Sequence, residues 1–438
     1  MENVVRKFKA RIQTIMIKKY LLTGAATFFG LALLAQSGNK ATDAEDLQLN
    51  TITTSVPFLQ ITPDSRSGAM GDVGTALSPT SNSFFWNTSM LAFTEEKSEV
   101  SLSYSPWLQN LASDINLSHL AGFYKINDRN VVGGSLRYFS LGEIVFTDNE
   151  GNTTIKNTPT EFEILAGYSF RLNNNFSLGL NGKFISSNLT AGVAVEGAES
   201  TAGLAGAADL SFSYHNDDVR YGGTRGALAF GITLNNIGNK VSYTVENDRD
   251  FLPTNIKIGS AMTFDFDAYN SLTWAVDFSK LLVPTPPIRN SLTGEIMSGY
   301  DQNIGVVPGM LQSFYDAPGA LAKDDNGDYI QNPDGSYQVV EGTKFREELN
   351  EIMIGTGLEY WYNDLFAARA GYFYENLKKG ARQHLTFGIG LKYRMFGIDF
   401  SYLTSLRRNN PLQNTIRFTL RLHLGGAASS DKANVKPQ

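Results

Sequence analysis

The chain has 438 residues, a formal net charge of −6 and 18% charged residues; that length exceeds one ordinary globular core, and nothing basic favours nucleic acid beyond the extreme N-terminus. It has no cysteine, which excludes disulfide staples, thiolate metal sites, a cysteine nucleophile and a lipid-anchoring cysteine. Mean hydropathy is slightly negative and only one long apolar run occurs, which excludes a helical membrane protein but not a membrane barrel, whose strands alternate apolar and polar residues.

The apolar run comes first. Lys18, Lys19 and Tyr20 precede Leu21–Ala35, LLTGAATFFGLALLA. A basic flank, an apolar run and a small residue at its end predict a secretory signal over residues 1–35, cut after Ala35. Met16 is an alternative start, because MIKKYLLTG reads as a compact signal by itself. The run is short for a membrane helix, which needs about 20 residues.

Residues 36–96 follow. Their part Pro57–Phe93 is rich in Gly, Ser, Asn and Pro and poor in strand signals. Phe84, Phe85, Trp86, Leu91 and Phe93 need burial. The segment is expected to be a hatch inside a barrel, with Phe84, Phe85, Trp86 and Asn87 plugging the lumen.

From residue 97 to 425 the chain repeats one pattern, segments of roughly 8 to 13 residues that alternate apolar and polar, the period of strands. Phe162, Ile164, Ala166, Tyr168 and Phe170 oppose Glu161, Glu163, Gly167, Ser169 and Arg171. Phe176, Leu178, Leu180 and Phe184 oppose Ser177, Gly179, Asn181 and Lys183. The last segment sets Ile416, Phe418, Leu420, Leu422 and Leu424 against Arg417, Thr419, Arg421 and His423. Such segments number about fourteen. Charges keep to the polar parity because Lys or Arg facing lipid at mid-bilayer costs about 2–4 kcal/mol. The fold class expected is all-β, an antiparallel transmembrane barrel of about fourteen strands with an N-terminal hatch in its lumen.

Connection lengths separate this from a soluble sandwich. Every second one is short: Asn127–Asn130, Leu172–Asn175, Asp265–Asn270, Tyr362–Leu365 and Arg394–Phe396, with Asn216–Thr224 somewhat longer. The others, Ser105–Asp114, Leu141–Thr160, Ser187–Ala202, Gly238–Leu252 and a great loop over 281–350, are mostly long. Short periplasmic turns alternating with long outer loops are the barrel arrangement. The parity places both termini in the periplasm, with 426–438 as a periplasmic tail. Gly355 and Gly357 on the inner face would let the hatch pack closely.

His119, His215, His384 and His423 sit in no nucleophile elbow, and neither H-E-x-x-H nor a phosphate-cradling glycine loop occurs. Asp324, Asn326 and Asp328 resemble the start of a calcium loop, but Tyr329 stands where the turn glycine belongs and Gly335 where the bidentate Glu belongs. Asn326-Gly327 and Asp334-Gly335 read as hairpin turns. No catalytic, cofactor or metal residue is assigned, and the chain is expected not to be an enzyme. The great loop carries one short amphipathic stretch, GVVPGMLQSFYDAPG, whose Val307, Met310, Leu311, Phe314 and Tyr315, beside Val306, are candidate partner-binding residues.

Pro63–Ala76 (PDSRSGAMGDVGTA), Phe84–Asn87 (FFWN) and Gly357–Tyr393 resemble the PorV/PorQ family, PorV being the closer, over roughly residues 50 to 425. That family is related to the long-chain fatty-acid transporter barrels, which have fourteen strands and a hatch. One departure is Thr88-Ser89 after Trp86-Asn87, where the wider superfamily commonly has Asn-Pro. The resemblance implies an outer-membrane role in type IX secretion in Bacteroidota. Its implied partners are the translocon barrel, cargo with C-terminal signal domains, surface attachment-complex proteins, and outer-membrane lipid and lipopolysaccharide. Two alternatives compete: a fatty-acid-like outer-membrane transporter, which needs an apolar tunnel, and a lipopolysaccharide deacylase, which needs a triad facing lipid.

Overall fold

A computed structural model of the chain describes residues 50–147, 153–189, 200–243, 249–407 and 410–425. The expected signal and the expected C-terminal tail lie outside the described residues. Fourteen of the strands form the wall: β1 (Ser98–Pro106), β2 (Asn116–Lys125), β3 (Asn130–Ser140), β4 (Thr160–Arg171), β5 (Phe176–Asn188), β6 (Gly203–Tyr221), β7 (Thr224–Gly238), β8 (Asn255–Asp265), β9 (Asn270–Leu281), β10 (Met353–Tyr362), β11 (Phe366–Tyr374), β12 (Gln383–Tyr393), β13 (Phe396–Ser405) and β14 (Thr415–Leu424). Each pairs antiparallel with its neighbour in sequence. β1 closes the ring on β14, with Leu102 opposite Leu420. Closure leaves no strand edge to satisfy in lipid.

Side-chain parity follows the sequence reading. Leu102, Ile164, Leu180, Ile232, Phe278, Ile389 and Leu420 are exposed, and Glu99, Arg137, Glu163, Lys183, Asp277, Glu359, Arg369, Asp399 and Arg421 are buried. Apolar side chains face outward and charges inward, the reverse of a soluble core, as a lipid surround requires.

Two details differ from the sequence reading. The connection expected over Asn216–Thr224 is mostly strand, since β6 runs to Tyr221 and β7 starts at Thr224. Gly222 and Gly223 take positive φ of 57° and 97°, the type I′ turn that matches strand twist. The hairpin therefore extends past a register shift between Asn216 and Val219. The connection over Leu141–Thr160 also carries a small hairpin of its own, Ile144–Thr147 with Thr153–Asn157.

Polar groups of residues 57–93 bond to inward side chains on many sides of the ring. Ser65 N–H donates to Thr419 of β14, Gly71 N–H to Thr386 of β12, Gly74 and Thr75 N–H to Asp277 of β9, and Ser81 N–H to Glu99 of β1. Ser169 of β4 and Ser177 of β5 both donate to the Ser89 carbonyl. The segment has only short helical turns, such as Ser65–Gly68 and Ser83–Trp86, so wall side chains satisfy much of its backbone. A Cβ at Gly355 would meet the Gly71 carbonyl, one at Gly357 would meet Met70, and one at Gly371 would meet both Met70 and Gly71.

The expectation for the two chain ends falls outside the described residues, and what the structure describes is the ends of the first and last strands. β1 begins and β14 ends beside the short turns, Ser98 pairing with Leu424. Asn50, however, hydrogen-bonds to Pro286, Glu347 and Lys378, all in long connections. Parity counts strands, and an unpaired segment can cross the lumen without adding one.

Candidate functional site

Charge holds the lumen together on one side. Arg66 donates to both oxygens of Glu359, at 2.8 and 2.7 Å. Glu359 also accepts from Arg369 at 2.7 Å, Arg369 donates to Asp399 at 2.6 Å, and Arg421 donates to Asp399 at 3.0 Å. The chain of alternating charges links the inner segment to β10, β11, β13 and β14. A second cluster lies across the lumen, where Arg137 and Lys183 both contact Glu163 and Lys183 contacts Asp209 at 2.9 Å. Fork-shaped guanidiniums suit carboxylates in such low-dielectric places.

The residues expected to plug the lumen are held one by one. Phe84 is buried with Phe123, Val131 and Leu165. A Cβ at Gly133 or Gly167 would strike the Phe84 ring. Phe85 is half-buried, edge-on to Trp86 at 4.9 Å, with the Arg137 guanidinium 4.8 Å from its ring. Trp86 donates its indole N–H to Asp64 at 2.8 Å, and the Lys257 ammonium stands 4.4 Å over its ring. Asn87 donates to the Thr75 carbonyl and to Ser213, while its carbonyl oxygen accepts from Ser89. Thr88 donates to Asn181, and Ser89 N–H to Ser211. The Thr-Ser pair that departs from the superfamily pattern thus supplies donors that fasten the segment to the wall, which a proline could not do through its nitrogen.

Beside Phe85 and Trp86 lies a cavity lined by Asp72, Lys183, Lys257, Asp277 and Arg382 and also by the apolar Leu59, Met353 and Phe373. Its walls are mixed, and a wholly apolar solute would leave the charged groups among them without a partner.

The great loop is built differently. It carries a two-stranded hairpin, Ile288–Arg289 with Ile296–Ser298, and two helices, Val306–Gln312 and Thr343–Asn350. On the first helix Gly309 and Gln312 are buried. A Cβ at Gly309 would press on Phe251 and Pro284, and Gln312 donates to the Asp301 carbonyl at 3.1 Å. That seat turns Val307 and Leu311 outward, 63% and 64% exposed, with Phe314 at 51% and Tyr315 at 59% just beyond. Met310 is half-buried on the flank. The sequence-predicted residues therefore form two groups, one inside the lumen and one on the great loop.

Sequence reading missed what fixes this loop. Lys379 bonds Glu347 at 2.7 Å and Glu351 at 2.9 Å, and Lys280 pairs with Glu351. Thr285 N–H donates to Asp316 at 3.0 Å and Gln312 to the same oxygen at 3.3 Å. Burial pushes the Asp316 carboxyl up to about 6, outweighing those hydrogen bonds. The only signal was the run of Glu347, Glu348 and Glu351, which reads equally as a solvated helix face.

The other candidates settle into structural places. Asn326-Gly327 and Asp334-Gly335 close small turns, Lys323 bridging to Tyr329 and Gln331 to Tyr337. Asp324 accepts from the N–H groups of Asn326 and Asp328. His384 lies 3.3 Å from Asp72 and His423 lies 3.1 Å from Glu99. His119 is buried on β2, and the His215 ring lies 5.1 Å from Phe93.

Residues 43–288 match the family model described as type IX secretion system protein PorV. That span is more than half of the chain. The chain belongs to the PorV family. It is an outer-membrane β-barrel of type IX secretion. The match ends within the great loop, before the Val306–Gln312 helix. No curated protein matches it. Among solved structures it is similar to the toluene transporter TodX of Pseudomonas putida, at 12% identity over 81% of this chain and 95% of that one, TM-score 0.41. The Ralstonia pickettii toluene transporter TbuX gives 12% identity, 82% and 96% coverage and TM-score 0.42. A Pseudomonas aeruginosa FadL homologue gives 12%, 86% and 100%, and 0.38.

Proposed function

We propose that this PorV-family barrel is a docking protein rather than a channel. On this reading it receives cargo with C-terminal signal domains at the translocon barrel and delivers it to the surface attachment complex. The long connections face the cell exterior, the short turns face the periplasm, and the inner segment plugs the lumen.

One observation carries the reading. Val307, Leu311, Phe314 and Tyr315 stand exposed on a loop whose other side is firmly seated. Large apolar side chains on a lipid-facing strand need no protein partner, but on a water-facing loop they mark a binding surface. The family supplies the class of partner. The transporter alternative calls for an apolar path, whereas the cavity mixes Leu59, Met353 and Phe373 with Asp72, Lys183, Lys257, Asp277 and Arg382.

The test changes Met310, Leu311, Phe314 and Tyr315 together to Ser. Cargo is then assayed in medium and periplasm, with barrel abundance as the control. Loss of secretion at normal abundance is expected. Normal secretion would reduce the helix to a cap and move the contact to another long connection.

A further inference from the structure

The inner segment has a direction. At one end, the Thr94 carbonyl accepts from Lys125 at 3.0 Å and Glu96 lies 3.4 Å from Lys392. Lys125 and Lys392 sit beside short turns, as do Ser169 and Ser177, which hold Ser89. Further back, Thr75 meets Asp277 within β9. Further still, Val56, Phe58 and Leu59 pack with Trp107, Ile115, Phe139 and Leu252, at or beside the long connections. At the far end, Asn50 donates through its side chain to Glu347 at 3.0 Å and to the Pro286 carbonyl at 3.1 Å, and through its N–H to the Lys378 carbonyl at 3.1 Å. The segment therefore crosses the barrel once, from the short-turn mouth to the long-connection mouth.

The contacts at that far end matter. Glu347 is also the partner of Lys379, and its other oxygen accepts from Gly319 N–H at 2.8 Å. Pro286 lies at the other foot of the great loop. Asn50 thus bridges both feet of the loop that carries Leu311. Ser55 N–H donates to the Phe251 carbonyl at 2.9 Å, and Phe251 is the ring on which the Val306–Gln312 helix sits at Gly309. The strap touches the seat of the helix as well as the base of its loop.

We propose that the amino-terminal strap (residues 50–61) is the positioning element of the great loop: at the long-connection mouth it holds both feet of the loop and the seat of its helix. Calling that mouth the outer one, and the loop a docking surface, rests on the function proposed above; the crossing and the tie do not. The strap positions the loop without being a contact residue itself: removing its bonds loosens the base on which the helix is presented.

Position is read by thiol labelling, because the chain has no native cysteine. Thr51→Cys, Asn326→Cys and Asp128→Cys replace exposed residues on the strap, the great loop and a short turn. They are treated with a membrane-impermeant maleimide on intact and on permeabilised cells. Thr51→Cys is expected to label with Asn326→Cys on intact cells, and Asp128→Cys only after permeabilisation. Thr51→Cys labelling with Asp128→Cys instead would overturn the crossing. If the first two label only after permeabilisation and Asp128→Cys labels on intact cells, the crossing stands and the orientation given to the barrel fails.

The tie is read by hydrogen exchange on the purified barrel. Asn50→Ala should speed exchange of the Thr343–Asn350 amides by about tenfold, the equivalent of one hydrogen bond to a charged group, with the thermal transition of the barrel unchanged. Unchanged exchange in that helix would show that Asn50 does not hold the loop.

Discussion

In the lumen, Arg66, Glu359, Arg369, Asp399 and Arg421 are all buried, and each charge faces one of opposite sign. On the great loop, Leu311 and Tyr315 are more than half exposed, the first on a helix of seven residues and the second just beyond its end. The first region buries charge and the second displays apolar surface, and both break the usual rule for soluble proteins. The inner segment has too little regular structure to satisfy its own backbone, so wall side chains do it. The loop helix has a seat and no cover. Stability should therefore concentrate in the lumen and partner binding on the loop, and substitutions in the two regions should separate those properties.

The sharpest test of that separation is Glu359→Ala. Glu359 accepts from Arg66 and Arg369 at once, so its removal leaves two buried guanidiniums without that partner. Breaking a buried pair on one side typically costs about 3–5 kcal/mol. The folded barrel in detergent should lose thermal stability by that order, read from the loss of its heat-modifiable band on gels. A barrel that tolerates Glu359→Ala as well as a loop variant would dissolve the distinction.

A smaller effect is expected from Gly371→Ala. The new Cβ meets Met70 and Gly71 backbone atoms, which cannot rotate away. Overpacking of this kind costs about 1–3 kcal/mol. Thermal melting should register it, and protease access to the inner segment should rise with it.

How far the sequence foretold these regions depends on the range of the contacts. Alternation alone turned Glu163, Lys183 and Arg417 inward, because a strand has a period of two and the neighbouring residues settle the face. The great loop and its apolar stretch were visible for the same reason, as an interruption of that pattern. The pairing of Arg66 with Glu359 was not visible, since 293 residues separate them and either could have met other charges of the lumen. The tie from Asn50 to Glu347 was hidden likewise, at a separation of 297. Strand counting also left the place of Asn50 open, because it assigns no side to a segment that pairs with nothing. The half-burial of Met310 shows the limit in miniature: a helix of two turns leaves the exposed face undecided until Gly309 finds Phe251.

On the loop, single changes should act on binding alone. Leu311→Ser or Tyr315→Ser removes an exposed side chain with no barrel strand beneath it. Surface substitutions of that type shift stability by no more than about 0.5 kcal/mol. A truncated anchor in an interface typically loses more than about 1 kcal/mol of affinity. Pull-down of secretion partners by the native barrel should fall while its melting stays put. Leu311→Ser with full recovery of partners would take the helix out of the interface.

The smallest effect expected is a pH dependence in the great loop itself. Asp316 lies outside the strands and is held between Thr285 and Gln312. Burial raises its carboxyl from the ordinary 3.8 to about 6. A raised acid binds its proton more tightly in the folded loop than in the unfolded one, so folding is favoured as protons bind. The loop should be least protected above pH 6, where Asp316 is ionised. It should gain protection as pH falls through 6, and the gain should be complete below the ordinary value of 3.8. Hydrogen exchange of residues 285–316, corrected for the intrinsic rate, should slow between pH 7.5 and pH 5, while the amides of β10 and β11 stay unchanged over that range. Asp316→Asn keeps the shape, carries no charge to bury, and should abolish the slope. A slope that survives Asp316→Asn would take Asp316 out of the pH response.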